Sequence, residues 1–165
     1  MKLSFLAASD ADATAVASLR TAAAERLTRE FGRGHWSSCA TERGVLRAIE
    51  TSRVLVAREI GRVVGTLTLA TKKPWAIDTA YFRDVRKALY LLDMAVDPAL
   101  QRKGIGRRLV REAVRIARGW PSDAIRLDAY DADAGAGPFY AKCGFREVGR
   151  VSYRGNPLVY LELLL

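Results

Sequence analysis

Apolar residues recur along this chain in two rhythms, and the switches between them mark out its elements. Residues 2–7 read as a first strand. From residue 10 to about residue 29, Val16, Leu19, Ala23 and Leu27 fall on one helical stripe, and Gly32 and Gly34 end it. A second helix over residues 41–51 turns Val45, Leu46 and Ile49 inward. Residues 53–59 and 62–71 form an expected hairpin around Ile60-Gly61. The run from Leu89 to Val96 is a buried strand that Asp97-Pro98 breaks. Helical spacing then returns in Ile105, Leu109, Val110, Ala113, Ile116 and Ala117. A strand follows over 125–130, and a short helix over 139–143. Pro138 suits its first turn and Gly144 the left-handed position after its end. Residues 147–153 and 158–165 read as the last two strands, joined by a turn at 154–157. The closing Leu163-Leu164-Leu165 is expected to be buried or paired, because an exposed apolar edge invites association. No repeat, low-complexity tract or linker divides the chain, so residues 1–165 are read as one domain.

Two segments carry chemistry. In the first, Gln101-Arg102-Lys103-Gly104-Ile105-Gly106 closes an apolar strand and opens a basic helix. Its two glycines remove the Cβ atoms that would keep a ligand from the backbone. The free N–H groups of the first turn point outward with the positive end of the helix dipole behind them, which suits a pyrophosphate. The loop lacks the third glycine and distant acid of the dinucleotide fingerprint, and no Lys-Ser or Lys-Thr follows as in a P-loop. In the second, a turn of small residues, Asp131-Ala132-Asp133-Ala134-Gly135-Ala136-Gly137-Pro138, leads into Phe139-Tyr140-Ala141-Lys142-Cys143-Gly144-Phe145.

Together, Val-x-Pro-x-x-Gln-x-x-Gly-x-Gly after a strand and Phe-Tyr-x-Lys-x-Gly-Phe some thirty residues on resemble the GNAT superfamily of acyl-CoA-dependent N-acetyltransferases. The resemblance runs from about Tyr90 to Phe145. It implies an α+β fold: a mostly antiparallel twisted sheet of six to seven strands with a splayed central pair, flanked by about four helices. It implies acetyl-CoA as co-substrate, with backbone amides of Arg102, Lys103, Gly104, Ile105, Gly106 and Arg107 on the pyrophosphate. The strand at Met94, Ala95 and Val96 is implied to pair with the pantetheine arm. Tyr140 is implied to stand near the thioester sulfur as general acid, with Phe139 and Ala136 beside the coenzyme. Where the family often has asparagine, this chain has Asp133, which either contacts the coenzyme or caps the short helix.

Acetyl transfer to an amine needs a neutral nitrogen, yet a lysine-like amine with a pKa of about 10.4 is almost wholly protonated near neutrality. A carboxylate can take that proton, a fixed N–H can meet negative charge developing on the carbonyl oxygen, and a tyrosine can protonate the departing thiolate. An aspartate inside an apolar strand costs free energy unless paired or used. Asp93, placed by alternation opposite Leu92 and Met94, is therefore either the base or ammonium recogniser, or a residue with a partner on the next strand or half in water. Tyr140 alone reads equally as core filler; the motif gives it a catalytic role. Cys143 reads as a buried small hydrophobe. In the irregular segment 72–88, Trp75, Asp78 and Tyr81 either wall an acceptor pocket or pack over the sheet. His35 and Trp36 border the acceptor if the loop between the first two helices does so here, as it often does in the resembled family.

Composition narrows the setting. The chain has 165 residues, half of them hydrophobic, enough for a sizeable core. It has no apolar run long enough for a membrane span. Its first eight residues loosely imitate a signal peptide, but the apolar stretch is short and Asp10 and Asp12 cut it off. Two cysteines without a framework pattern suit a cytoplasmic protein. One histidine and two scattered cysteines argue against a metal site. The net charge is +9, concentrated between Arg102 and Arg118. Arg108, Arg111, Arg115 and Arg118 read as a solvated helix face. No RNA-binding motif accompanies them, so nucleic acid is not the expected partner. The expected acceptor is a small-molecule amine; the alternatives are a peptide N-terminus or lysine as acceptor, or a module that binds acyl-CoA or nucleic acid without turnover. A homodimer fits the resemblance.

Overall fold

The computed structural model describes residues 1–165. Eleven main elements follow in order: β1 (Leu3–Ala7), α1 (Ala13–Phe31), α2 (Glu42–Thr51), β2 (Arg53–Glu59), β3 (Arg62–Ala70), β4 (Ala88–Val96), α3 (Ile105–Gly119), β5 (Ala124–Tyr130), α4 (Gly137–Lys142), β6 (Arg146–Tyr153) and β7 (Asn156–Leu164). The strands form one sheet in the order β1-β2-β3-β4-β5-β7-β6. Neighbours are antiparallel at β1/β2, β2/β3, β5/β7 and β6/β7, and parallel at β4/β5 over Ala88–Tyr90. The fold is α+β, as the resemblance implied. By its contacts the chain makes two compact units, residues 1–70 with 92–112, and residues 71–91 with 113–165.

In the first unit, local chemistry sets the helix starts. The helix expected from residue 10 begins instead with a 3-10 turn over Asp10–Asp12, and α1 follows at Ala13. The cause is Asp12, whose carboxylate accepts from the Ser9 N–H at 2.9 Å and is ion-paired to Arg58. Burial alone would raise the Asp12 pKa, but these hydrogen bonds and the Arg58 charge hold it below the usual carboxylate value. Thr41 caps α2, accepting from the Gly44 N–H at 3.1 Å. At the β2–β3 turn, Ile60 and Gly61 are both left-handed, as a tight two-residue hairpin requires. One face of the sheet meets α1 and α2 in a cluster including Val16, Leu19, Val45, Val56, Val63 and Ala95. The opposite face receives α3 at Gly65, where a Cβ would lie 2.8 Å from Leu109 and 3.1 Å from Ile105.

In the second unit, β5 pairs with β7 along its length, from Ala124↔Leu164 to Tyr130↔Leu158. Arg126 and Glu162 face each other in that ladder, both buried, with Nε and Oε2 2.9 Å apart. Arg126 also stacks on Phe82 and donates to the Arg83 carbonyl. Ile77, Phe82, Tyr90 and Tyr160 form a second cluster. The Tyr160 hydroxyl ties the segment before β4 to the sheet, accepting from the Asp78 N–H at 3.1 Å and donating to the Ala76 carbonyl. Of the closing leucines, Leu163 and Leu164 are paired to β5, although the Leu164 side chain is exposed. The short helix starts two residues earlier than expected, at Gly137, and its cap is Ala136. Asp133 is exposed and does not cap it, because three residues separate it from that start.

Candidate active site

The loop after β4 is built from tethers that free its backbone. Asp97 donates its N–H to the Val64 carbonyl at 2.9 Å, accepts from the Ala99 N–H at 2.9 Å, and pairs with Arg62 at 3.0 Å. Gln101 is held from both sides: its Oε1 accepts from Arg26 of α1 at 2.6 Å, and its Nε2 donates to the Val96 carbonyl at 3.3 Å. The glutamine of the motif therefore fixes the loop against α1 and β4. Beyond it, Arg102 and Gly104 are left-handed, with φ of 63° and 83°. Successive turns of this kind curl backbone N–H groups into a concave anion site. The first helical bond of α3 runs from the Arg108 N–H to the Gly104 carbonyl, so the amides of Ile105, Gly106 and Arg107 have no intrahelical partner. A Cβ on Gly104 would meet nothing within 4 Å. Arg102, Lys103 and Arg107 are exposed around this opening. Arg108 instead stacks on Phe5, while Arg111, Arg115 and Arg118 are exposed on α3.

Upstream of this loop, Met94 and Val96 are half-buried and Ala95 is buried. Asp93 is left-handed inside β4, with φ of 52°. Aspartate is among the side chains that tolerate that conformation, which, as at a bulge, re-aims its side chain. The carboxylate lies 3.5 Å from Arg20 of α1, with the Asp93 side chain 55% exposed and that of Arg20 12% exposed. Arg20 also donates to Thr68 Oγ1 of β3 at 3.1 Å. Burial lowers the Arg20 pKa and the Asp93 charge opposes that. Of the alternatives for Asp93, the structure supplies a partner, but on a helix rather than on the adjacent strand. Neither Arg20 nor Thr68 was legible as a site residue, since each sits in an ordinary helical or strand pattern.

In the second unit Tyr140 is buried between two aromatic rings, Phe139 at 5.1 Å and Phe145 at 5.6 Å. Burial pushes its phenol pKa well up, and charges on Cys143 and Asp128 add to that. The hydroxyl therefore remains a proton donor throughout the neutral range. Asp128 of β5 was missed by sequence reasoning, although it is an acid inside an apolar run, as Asp93 is in the sequence; unlike Asp93 it is half-buried among buried neighbours. Its own burial raises its carboxyl pKa, opposed by its backbone N–H. Cys143 is half-buried, more open than expected.

The remaining sequence candidates separate clearly. Asp78 is a cap, accepting from the Ala80 N–H at 3.0 Å. Tyr81 rests edge-on against Tyr160 at 5.4 Å. Trp75 is 85% exposed. His35 is exposed, and Trp36 donates from its indole to the Gly32 carbonyl at 3.0 Å. Ala136 is exposed and Phe139 half-buried. No group of three or more His, Cys, Asp and Glu is arranged to hold a metal ion. No helix is long and apolar enough to cross a membrane.

The mostly antiparallel sheet, with β4 leading through this loop into α3, has the arrangement that the sequence resemblance implied. Residues 21–145 match the acetyltransferase (GNAT) family model, and the chain belongs to that family. Among solved structures, a ribosomal-protein-alanine N-acetyltransferase from Brucella melitensis is 20% identical with a TM-score of 0.76, over 98% of this chain and 99% of that one. The YncA protein of Salmonella typhimurium, solved with its cofactor acetyl-CoA, is 20% identical with a TM-score of 0.74, over 99% and 94%. The PaiA N-acetyltransferase of Thermoplasma acidophilum, in complex with coenzyme A, is 16% identical with a TM-score of 0.75, over 100% of both. No curated protein matches the sequence significantly.

Proposed function

We propose that this protein transfers the acetyl group of acetyl-CoA to a primary amine of a small molecule, with residues 1–165 acting as one catalytic domain in the cytoplasm. The observation that carries the reading is the pair of left-handed residues, Arg102 and Gly104, opening α3 with unpaired first-turn amides and clear space beyond Gly104. A diphosphate fits that cradle: its acceptors match the amides, and Arg102, Lys103 and Arg107 supply opposite charge. The family membership and the coenzyme-bound YncA and PaiA structures support the same donor.

Backbone of Arg102 to Arg107 would hold the pyrophosphate, and Met94, Ala95 and Val96 would align the pantetheine arm, with Ala136 and Phe139 alongside. The bound thioester supplies an acyl group already activated towards amines, so the chain needs no nucleophile of its own. Asp93 receives the acceptor's ammonium and takes one proton from it, which passes on to solvent. The nitrogen then forms its bond to the acyl carbon as the carbon–sulfur bond breaks. Tyr140 gives its proton to the departing sulfur and regains one from the nitrogen, so the net products are amide, thiol and one proton.

Calorimetry with acetyl-CoA, followed by thiol release with a broad amine panel, tests the reading. Binding with turnover on at least one amine is expected. Binding without turnover on any amine would make the protein a coenzyme-binding module, and no heat with any acyl-CoA would overturn the reading altogether.

A further inference from the structure

We propose that Arg20 and Asp93 together recognise an α-amino group with a neighbouring carbonyl or carboxylate oxygen, so that the acceptor is an amino acid, its amide or a peptide end. The inference rests on the acetyl-transfer reading and names the substrate class of that site. Asp93 directly precedes Met94, the start of the strand assigned to the pantetheine arm. At about 3.3 Å per residue, it stands roughly 10 Å back along β4 from Val96, towards the thioester end of a donor anchored at the loop.

At that place the protein sets two opposite charges side by side. A guanidinium has five N–H donors, and Arg20 uses two, one towards Asp93 and one to Thr68. Its Nε–H is buried with no partner. Its contact with Asp93, at 3.5 Å, is longer than the 2.7–2.9 Å typical of charge-assisted hydrogen bonds. The carboxylate is more than half exposed and keeps acceptor capacity towards solvent.

A simple alkylamine or polyamine satisfies Asp93 and brings further positive or apolar groups up to a cation. An α-amino acid or peptide end has the matching polarity instead. Its nitrogen and carbonyl oxygen lie roughly 3 Å apart by standard bond lengths, close to the separation of the two protein charges. The ammonium meets Asp93 while the oxygen accepts from Arg20. Thr68 of β3 accepts one guanidinium hydrogen bond and so tethers Arg20 beside Asp93.

Thiol release would be compared for alanine, phenylalanine, their amides and Ala-Ala against isopropylamine and phenethylamine, which lack the carbonyl. A hydrogen bond to a charged group is worth about ten- to a hundredfold in kcat/KM, and that preference for carbonyl-bearing acceptors is expected of the native protein. Arg20→Leu should shrink the ratio by about tenfold or more, leaving only the part that the lower pKa of the carbonyl-bearing amines supplies, and Arg20→Lys should restore part of it. Preference for alanine over alaninamide and Ala-Ala would identify free amino acids; the reverse would identify peptide ends. Equal native rates with and without the carbonyl overturn the proposal, whether or not Arg20→Leu folds. So does an Arg20→Leu protein of native melting temperature that keeps the native ratio. Absence of turnover on every amine would instead remove the acetyl-transfer reading itself.

Discussion

Substitution at Gly104 separates what this glycine does for the free protein from what it does for a ligand. Its φ of +83° is open to glycine at no cost, while an alanine there pays for its Cβ against the following carbonyl. That strain is about 1–2 kcal/mol, and each kcal/mol lowers the melting temperature of a chain this long by about 2–4 °C. Gly104→Ala should therefore melt about 2–8 °C lower. No clash adds to this, because the added carbon meets no atom of the protein within 4 Å. Asparagine tolerates the left-handed region far better, so Gly104→Asn should melt within a degree or two of the native protein. Both variants nevertheless push a Cβ into the space assigned to the diphosphate. Each should lose at least about tenfold in coenzyme A affinity by calorimetry, equivalent to about 1.4 kcal/mol. The decisive protein is Gly104→Asn: near-native melting with weakened binding supports the cradle, whereas native coenzyme A affinity would show that the loop does not hold the diphosphate.

Tyr140→Phe should reduce kcat by about a hundredfold, at the low end for a lost general acid, with coenzyme A affinity within about twofold; undiminished turnover would end the proton-donor role. Because the Tyr140 pKa is raised, native kcat should show no loss assignable to its ionisation below about pH 10. Asp12, whose folded pKa is depressed, contributes stability that is present above the unfolded value of about 3.9 and is lost as pH falls through the folded one. Asp12→Asn should therefore melt lower than the native protein at pH 7, with the difference narrowing below about pH 4; a constant gap down to pH 2 would mean the charge is not its source. Glu162→Ala, which leaves the buried Arg126 unpaired, should cost about 3–5 kcal/mol. The pair Arg126→Met with Glu162→Leu should recover most of that in denaturant melts, and a double variant no more stable than Glu162→Ala would contradict this account.

Much of the fold was legible because its punctuation is local. Ile60-Gly61 and Arg154-Gly155 are left-handed dipeptides that close two hairpins, and Gly144 follows α4 at φ 95°. Each works through backbone conformation that a few consecutive residues decide. The misplaced boundaries have a different cause. The α1 start depends on Asp12 choosing both Ser9 and Arg58, the latter 46 positions away. The α4 start passed over Asp133, although aspartate is a favoured cap, and fell on Ala136, which has no capping side chain. Neither choice is written in a propensity.

The candidate site divides along the same line. The cradle proposed for the diphosphate is made of contiguous main-chain amides, so six consecutive residues could announce it. The recognition proposed for the acceptor depends on side chains that meet only after α1 has packed on the sheet. Arg20 comes from that helix, Thr68 from β3 and Asp93 from β4. Of the three, only Asp93 broke its local pattern, an acid where apolar residues belong, and so only Asp93 was visible. Asp128 carried the same signal and was passed over because Ile-Arg-Leu-Asp-Ala-Tyr already holds a charged residue, which blurs the contrast. In the folded protein the compensation runs from the acid to the base: Arg20 is the largely buried charge, and the half-exposed Asp93 stands beside it as counter-ion. That pair, a guanidinium with donors to spare beside a carboxylate open to solvent, is where the specificity of this transferase should be sought.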